Sequence, residues 1–541
     1  MSGIPPNTLR QDEQPEFPTV GPFGGIQSEV TPDRVESLGF LDAMNIMFRK
    51  AGAYTRPQVY LLPAVNGALV GVADFYDVDG SRHQVVMTPT SMFQWDAGTG
   101  AFDEQITGVL TGSPAQLFTS AVVADQLLFC QGVDVVQVWN GITAGFGPVS
   151  GTAVPAKYLA ELDFSLLACN TIESGQSATQ RVRWTGAGNP ADWTSFAAGQ
   201  VDLFNDLGPI TGVSKLYQQA YIWQQWGITQ VIPTGQAAAP WDFIPMGVKA
   251  KGCIIPHSLA SFGEDIACYV GKNDIYQFDG NQSVSIGAMP VDGSRSRAGA
   301  RKRIFADLVQ CNPLTVFSYI STSINGNDYG CYWIFMPELN AAWIYHFDEQ
   351  SWTRWTFPQT PSIAGDFFKQ GVPRIIDLIG PILAQNWSPD TLIATGPFDA
   401  MFLGFANAQP GYIDFTGVSE LPWSLTSGNG YFGDFKHKKT VGAVRLVLTD
   451  LQAGFMGTLT LIPNTAGSPT RSVTFGPIGT GSGNSIVVIV PFSGQNKVTG
   501  SYIQWVLSGA AGTQLALSEI TPIYDIEGEI RTWNAITGIV D

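Results

Sequence analysis

The sequence predicts an all-β chain: a divergent β-propeller with insertions, followed by a C-terminal β-sandwich-like domain. Three observations carry that expectation. Charged residues make up 13% of the 541, about half the usual share, which leaves little material for solvated helices. Gly (60) and Pro (34), together with 12% aromatics, read as many short strands joined by many turns. A strand, an acidic or amide turn and a second strand, with aromatics on both sides, recur along the chain.

Taken in order, residues 1–54 read as an N-terminal arm and cap. The first 35 lack periodicity and are rich in Pro, while 36–50 ("ESLGFLDAMNIMFRK") have apolar positions near helical spacing and read as a short helix or an extended cap. Strand signals begin near residue 55. Trp95-Asp96 is followed by a Gly turn, and Trp139-Asn140-Gly141 repeats the arrangement. It returns at Phe278-Asp279-Gly280, at Phe347-Asp348 with Trp352, and in "GYIDFTG" from Tyr412 to Gly417. A hairpin of this kind has two apolar faces and cannot bury both alone, so several must stack radially. The pattern resembles the last turn of kelch-like blades. Residues 55–424 are therefore expected to form the propeller, with Trp343, Phe347 and Trp352 in its core and Asp348 holding its turn. From 425 to 541 the strands come at regular spacing without the aromatic–acidic turn, as in "VGAVRLVLTD" and "NSIVVIVPF", which predicts the sandwich.

The chemistry the chain could carry is narrow. Its net charge is −17, opposite to that of a protein that grips nucleic acid through phosphate contacts. Six scattered Cys and four His show no metal-ligand spacing, and the Cys sit in apolar runs as reduced core residues. There is no phosphate-binding Gly loop and no nucleophile elbow. "DVDGSRH" (77–83) is too short for a calcium loop and reads as a β-turn. No catalytic, metal or cofactor site is expected. The polar, Pro-rich start and the lack of a long apolar run predict no export signal and no membrane span. The strongest charge feature is the basic run Arg295, Arg297, Arg301, Lys302 and Arg303, a candidate subunit or adaptor interface.

Three stretches resemble the nozzle, or tail-hub, proteins of short-tailed bacteriophages. They are "NIMFRKAGAYTRPQ" (45–58), where Gln58 stands in place of an expected Gly, "RVRWTGAGNPADWT" (181–194), and "VKAKGCIIPHSLASFGEDIACYVGKNDIYQFDG" (248–280). The resemblance implies a virion protein made in the host cytoplasm and without enzymatic activity. It would form a homo-oligomeric ring, usually a hexamer, beneath the portal and adaptor, and carry tail fibres or spikes. Such a ring closes the filled head and passes double-stranded DNA through its lumen without specific binding. Asp202 and Asp206 in "DLFND" are then candidates for the channel wall. The competing expectations are a tail-associated glycan-binding or depolymerase propeller, its Trp residues stacking on sugars, and a cytosolic kelch-like adaptor.

Overall fold

In the computed structural model the described residues are 19–526, except 21–24, 30–31, 33–34, 36–38, 50–51, 237–238, 264, 289–298, 323–328, 370–397, 419, 431–437, 450–453, 465–467, 479–484, 493 and 514–515. Their regular secondary structure is almost all strand, with one α-helix, α1 (Arg301–Leu308).

The propeller is built from seven four-stranded antiparallel units. Six are separate sheets, and the seventh is one end of a nine-stranded sheet. In chain order, blades 1 to 5 span 71–106, 119–148, 156–202, 210–245 and 260–285, and blade 6 spans 317–356. Blade 7 takes Pro361–Lys369, Phe398–Phe405 and Pro410–Val418 from this region. Its outer strand, Pro57–Leu61, comes from the N-terminal side, with Val59 opposite Ile413 and Tyr60 opposite Tyr412. The ring is thus closed by hydrogen bonds between distant segments, which hide an edge that would otherwise be open.

Four of the five sequence patterns fall at one structural position, the turn between the third and fourth strands of a blade. They serve blades 1, 2, 5 and 6. The Asp or Asn side chain caps the turn. Asp96 Oδ1 accepts from Gly98 N (2.7 Å), Asn140 Oδ1 from Thr143 N (2.9 Å), and Asp279 Oδ1 from Gln282 N (2.8 Å). The fifth, around Tyr412, lies inside the strand Pro410–Val418, because blade 7 has no such turn: its fourth strand arrives from elsewhere.

The turn of blade 6 departs from expectation. Trp343 and Trp352 are fully buried, but Phe347 is only half-buried. Asp348 has no hydrogen bond among the described residues, and the backbone reverses instead through Gln350 at φ +50°. The "DVDGSRH" stretch is a turn, as read. Asp77 Oδ1 accepts from Asp79 N and Ser81 N, both at 2.9 Å, and its other oxygen is 2.9 Å from His83 Nε2. That bond lowers the Asp77 pKa. The six Cys are unpaired, five of them buried, and burial pushes their thiols up.

The sandwich draws on both ends of the chain. One sheet runs Ile46–Arg49, Gly52–Thr55, Ala516–Ile526, Lys439–Thr449, Ile486–Pro491, with Thr19–Val20 and Val498–Gly500 at its sides. The other continues blade 6 through Phe40–Met44, Trp423–Ser427, Ile503–Gly509, Phe455–Pro463 and Arg471–Ile478. Of the two readings of this stretch, residues 40–49 take the extended one, as two strands rather than a helix. A bulge at Leu41 breaks the alternation, so Phe40 and Ala43, three apart, are both buried and imitate a helical repeat.

Candidate functional site

Two places concentrate interactions that no single blade needs: the seam between propeller and sandwich, and the mouth of the propeller axis.

At the seam the chain changes sheets at Asn45, which is buried with φ +56°. Its Nδ2 donates to Thr356 Oγ1 (3.0 Å) and Pro422 O (2.8 Å), and its Oδ1 accepts from Thr356 N (2.8 Å). Asn suits the position because it tolerates a left-handed backbone and supplies both donors and an acceptor. Arg56 is buried beside it. It donates to Thr356 O (2.6 Å) and lies over the rings of Trp355 and Phe357. Burial lowers its pKa to about 10, against the opposing pull of Glu420. Residues 45–58, the first stretch that carried the family resemblance, are thus a sandwich hairpin leading into the outer strand of blade 7.

The second stretch is the hairpin of blade 3. Arg181 binds both oxygens of Asp202 (2.7 Å each) and reaches Glu173 (2.9 Å), and Trp193 is buried beneath the Arg183 guanidinium. The third stretch packs blades 4, 5 and 6 together. A Cβ at Gly252 would come within 2.5 Å of backbone atoms of Gln225, Trp226 and Gly227, so glycine is required there. Ser258, fully buried, donates to Ile255 O (2.7 Å) and accepts from Val270 N (3.0 Å), while its carbonyl accepts from the Tyr332 hydroxyl (2.8 Å).

The candidate interface residues are distributed unevenly. Arg295 and Arg297 lie outside the described residues. Arg301, Lys302 and Arg303 open helix α1, and the acids they meet belong to the same chain. Arg301 pairs with Glu29 (2.9 Å) and Asp274 (3.5 Å), Lys302 Nζ donates to Glu29 O (3.1 Å), and Arg303 pairs with Asp42 (3.0 Å). At the other end of α1, Asp307 accepts from Trp343 Nε1 (2.9 Å) and Arg354 Nε (3.0 Å). Within the chain, these three cations bind the N-terminal segment to the propeller. Asp202, the first channel-wall candidate, is paired with Arg181. It sits on the outer strand of blade 3, and the Arg181 hydrogen bond lowers its pKa. Asp206 is exposed in the following loop.

The blade-turn aromatics are packing residues. Trp139 and Trp352 are buried and offer no face to a sugar ring, and Trp95 packs on Phe102 and Phe367. A shallow cavity of about 280 Å3 adjoins Phe347, lined also by Tyr345, Gln277 and Asp279.

The axial mouth was not legible in the sequence. The first strands of blades 2, 3, 4, 6 and 7 converge with residues 256–259 on a cavity of about 170 Å3, lined by Leu159, Val213, Leu259, Phe317 and Ile363 among others. A wider cavity of about 460 Å3 shares Leu117, Tyr158, Pro256 and His257 with it. This cavity adds Gln131, Lys157, Asn170 and Thr211. Burial, and then the Lys157 charge, push the His257 pKa down, which favours a neutral ring. Among the described residues no group of three or more His, Cys, Asp and Glu could hold a metal ion.

No family model matches the chain, and no curated protein matches it. Solved structures do. BamB from Moraxella catarrhalis is similar at 10% identity and a TM-score of 0.34, covering 69% of this chain and 94% of that one. The extracellular domain of a one-component system from B. thetaiotaomicron is similar at 10% identity and a TM-score of 0.37, covering 85% of this chain and 61% of that one.

Proposed function

We propose that the protein is a structural subunit of a phage tail, a nozzle that assembles as a ring below the portal and adaptor. The observation that carries this reading is the continuous nine-stranded sheet running from blade 6 into the sandwich. With Asn45, Arg56 and the α1 ion pairs it makes propeller and sandwich one stiff stave, as a part holding packaged DNA needs. Of the three stretches that resemble the nozzle family, the first lies at this seam and the other two hold blades 3 to 6 together. The charge agrees as well. Six copies would carry about −100, and a lumen of that sign repels phosphates, so DNA slides without sticking. Fibre or spike attachment belongs to the same proposal.

Electron microscopy of the purified oligomer, or of virions that contain it, tests the reading. A six-fold ring around a through-channel is expected. A monomer, or a three-fold particle at the tail periphery, would overturn it and bring forward the glycan-binding alternative.

A further inference from the structure

The axial mouth has the composition of a binding site, whatever the chain assembles into. The chain has 45 acidic residues, yet none lines the 460 Å3 cavity, while Lys157 does. The Lys157 ammonium has no partner among the described residues. Two buried amides also line the cavity, each with one end committed and the other unused. Asn170 is 4% exposed, and its Nδ2 donates to Ile210 O (2.9 Å), which fixes its orientation. Gln131 is 5% exposed, and its Nε2 donates to Asp134. The acceptors Asn170 Oδ1 and Gln131 Oε1 have no partner, a costly state in a buried place unless something donates to them. Asn170, at φ +57°, faces a bulge in blade 3 whose extra residues lie on the neighbouring strand between Ala178 and Val182, and Thr211 is the extra residue of a bulge in blade 4. Bulges turn side chains out of the strand alternation, and these two lie side by side at the cavity.

The unmet groups define the ligand. It carries an anion for Lys157 and N–H or O–H donors for the two amide oxygens. The adjoining 170 Å3 throat has room for one small arm, and Leu159, Val213, Leu259, Phe317 and Ile363 give its wall apolar surface beside Thr119, His257 and Ser318. We propose that the axial mouth binds a carboxylate with adjacent amide N–H groups and a single apolar side chain, the chemistry of a C-terminal peptide residue or of a free N-acyl amino acid. The side chain enters the throat between Leu259 and Phe317, and the carboxylate meets Lys157.

The test is calorimetric titration of the full chain with N-acetyl-leucine, N-acetyl-leucinamide, a tetrapeptide ending in leucine, and methyl α-glucoside. N-acetyl-leucine is expected to bind, and the uncharged amide about tenfold more weakly, as a charge-assisted hydrogen bond implies. Lys157→Gln, at an exposed position, leaves the melting temperature unchanged and erases the difference between acid and amide. Asn170→Asp keeps a residue that tolerates the left-handed backbone but sets a carboxylate against the ligand, and weakens the acid further. Tighter binding of the tetrapeptide identifies a peptide end as the source, and equal binding identifies the free amino-acid derivative. No binding of either at millimolar concentration, binding indifferent to Lys157→Gln, or binding of the glucoside alone would overturn the proposal.

Discussion

Blades 1 to 5 and blades 6 and 7 are made of the same four-stranded unit, but they are finished differently. Each of the first five is completed within its own stretch of chain and packs on the next through its inner strands. Blade 6 runs on into a sandwich sheet, and blade 7 borrows its outer strand from residues 350 or more positions away from their partners. Local blades are held by turns that a single hairpin can specify. The last two are held by pairings whose loop-closure cost is met only when the whole molecule has formed. Stability should therefore be unequal around the ring, with the seam as its cooperative point.

The most severe way to break that contrast is to disrupt the closing strand. Val59 is 7% exposed and faces the core that runs through blades 1, 2, 6 and 7. Val59→Asp places a carboxylate there without a partner, a cost of several kcal/mol. Loss of soluble protein, or a broad low-temperature melt with early proteolysis of blade 7, is expected. Phe243→Asp, on the outer strand of the local blade 4 and only half-buried, should melt at a higher temperature than Val59→Asp. Equal damage from the two would mean that the ring has no special seam.

The next effect is at the sheet change. Asn45→Ala removes its four side-chain hydrogen bonds, all but one to Thr356, and leaves a Cβ residue at positive φ, together about 3 kcal/mol in denaturant unfolding. Asn45→Gly keeps the conformation and loses only the bonds, so it should cost about half as much. If both variants were neutral, the latch between propeller and sandwich would lie elsewhere.

What the sequence revealed follows the same division. The Asp96, Asn140 and Asp279 turns are local chemistry, in which a side chain bonds its own backbone two or three residues on, and they were readable. The arrival of Pro57–Leu61 in blade 7 and of Phe40–Met44 beside blade 6 leaves no periodic trace, because such pairings are set by tertiary structure. The bulge at Leu41 even wrote a false helical spacing. Arg301, Lys302 and Arg303 looked like a patch because their partners Glu29, Asp42 and Asp274 lie far away in sequence. The axial mouth gathers residues from 115 to 314, and its one local hint is a polar Asn170 amid the apolar "SLLACN".

A smaller test concerns protons. His346 is buried in blade 6, with Nε2 3.1 Å from Thr353 Oγ1, and burial lowers its pKa to about 4. Its folded pKa lies below its unfolded value, so between pH 6.5 and 4 the unfolded chain binds the extra proton. This contribution to stability is present above pH 6.5 and is lost as pH falls toward 4, by about 3 kcal/mol. His346→Gln should be less stable at neutral pH and flatter across this window in chemical denaturation. A wild-type loss that the variant reproduces in full would assign the acid sensitivity to other groups.

The smallest expected effect separates a local blade from a stitched one most cleanly, because it compares equivalent turns. Asn140 closes the third turn of blade 2. Its Oδ1 accepts from Ile142 N (3.1 Å), Thr143 N (2.9 Å) and Thr143 Oγ1 (2.8 Å). Asp348 occupies the matching place in blade 6 and makes no such bond. Asn140→Ala should cost about 1 kcal/mol, the usual worth of a capping side chain, whereas Asp348→Ala should fall within about 0.5 kcal/mol of wild type. The difference would mean that blade 6 does not depend on its turn. Its fourth strand, Ser351–Thr356, is held on its far side by Asn45 N, which donates to Arg354 O (2.9 Å), and by Asn45 Oδ1, which accepts from Thr356 N. Trp355 Nε1 adds a bond to Ile46 O (2.8 Å). A strand fixed along its length by a neighbouring sheet has no need of a capped turn, so an equal loss in the two variants would show that the sandwich does not brace the blade.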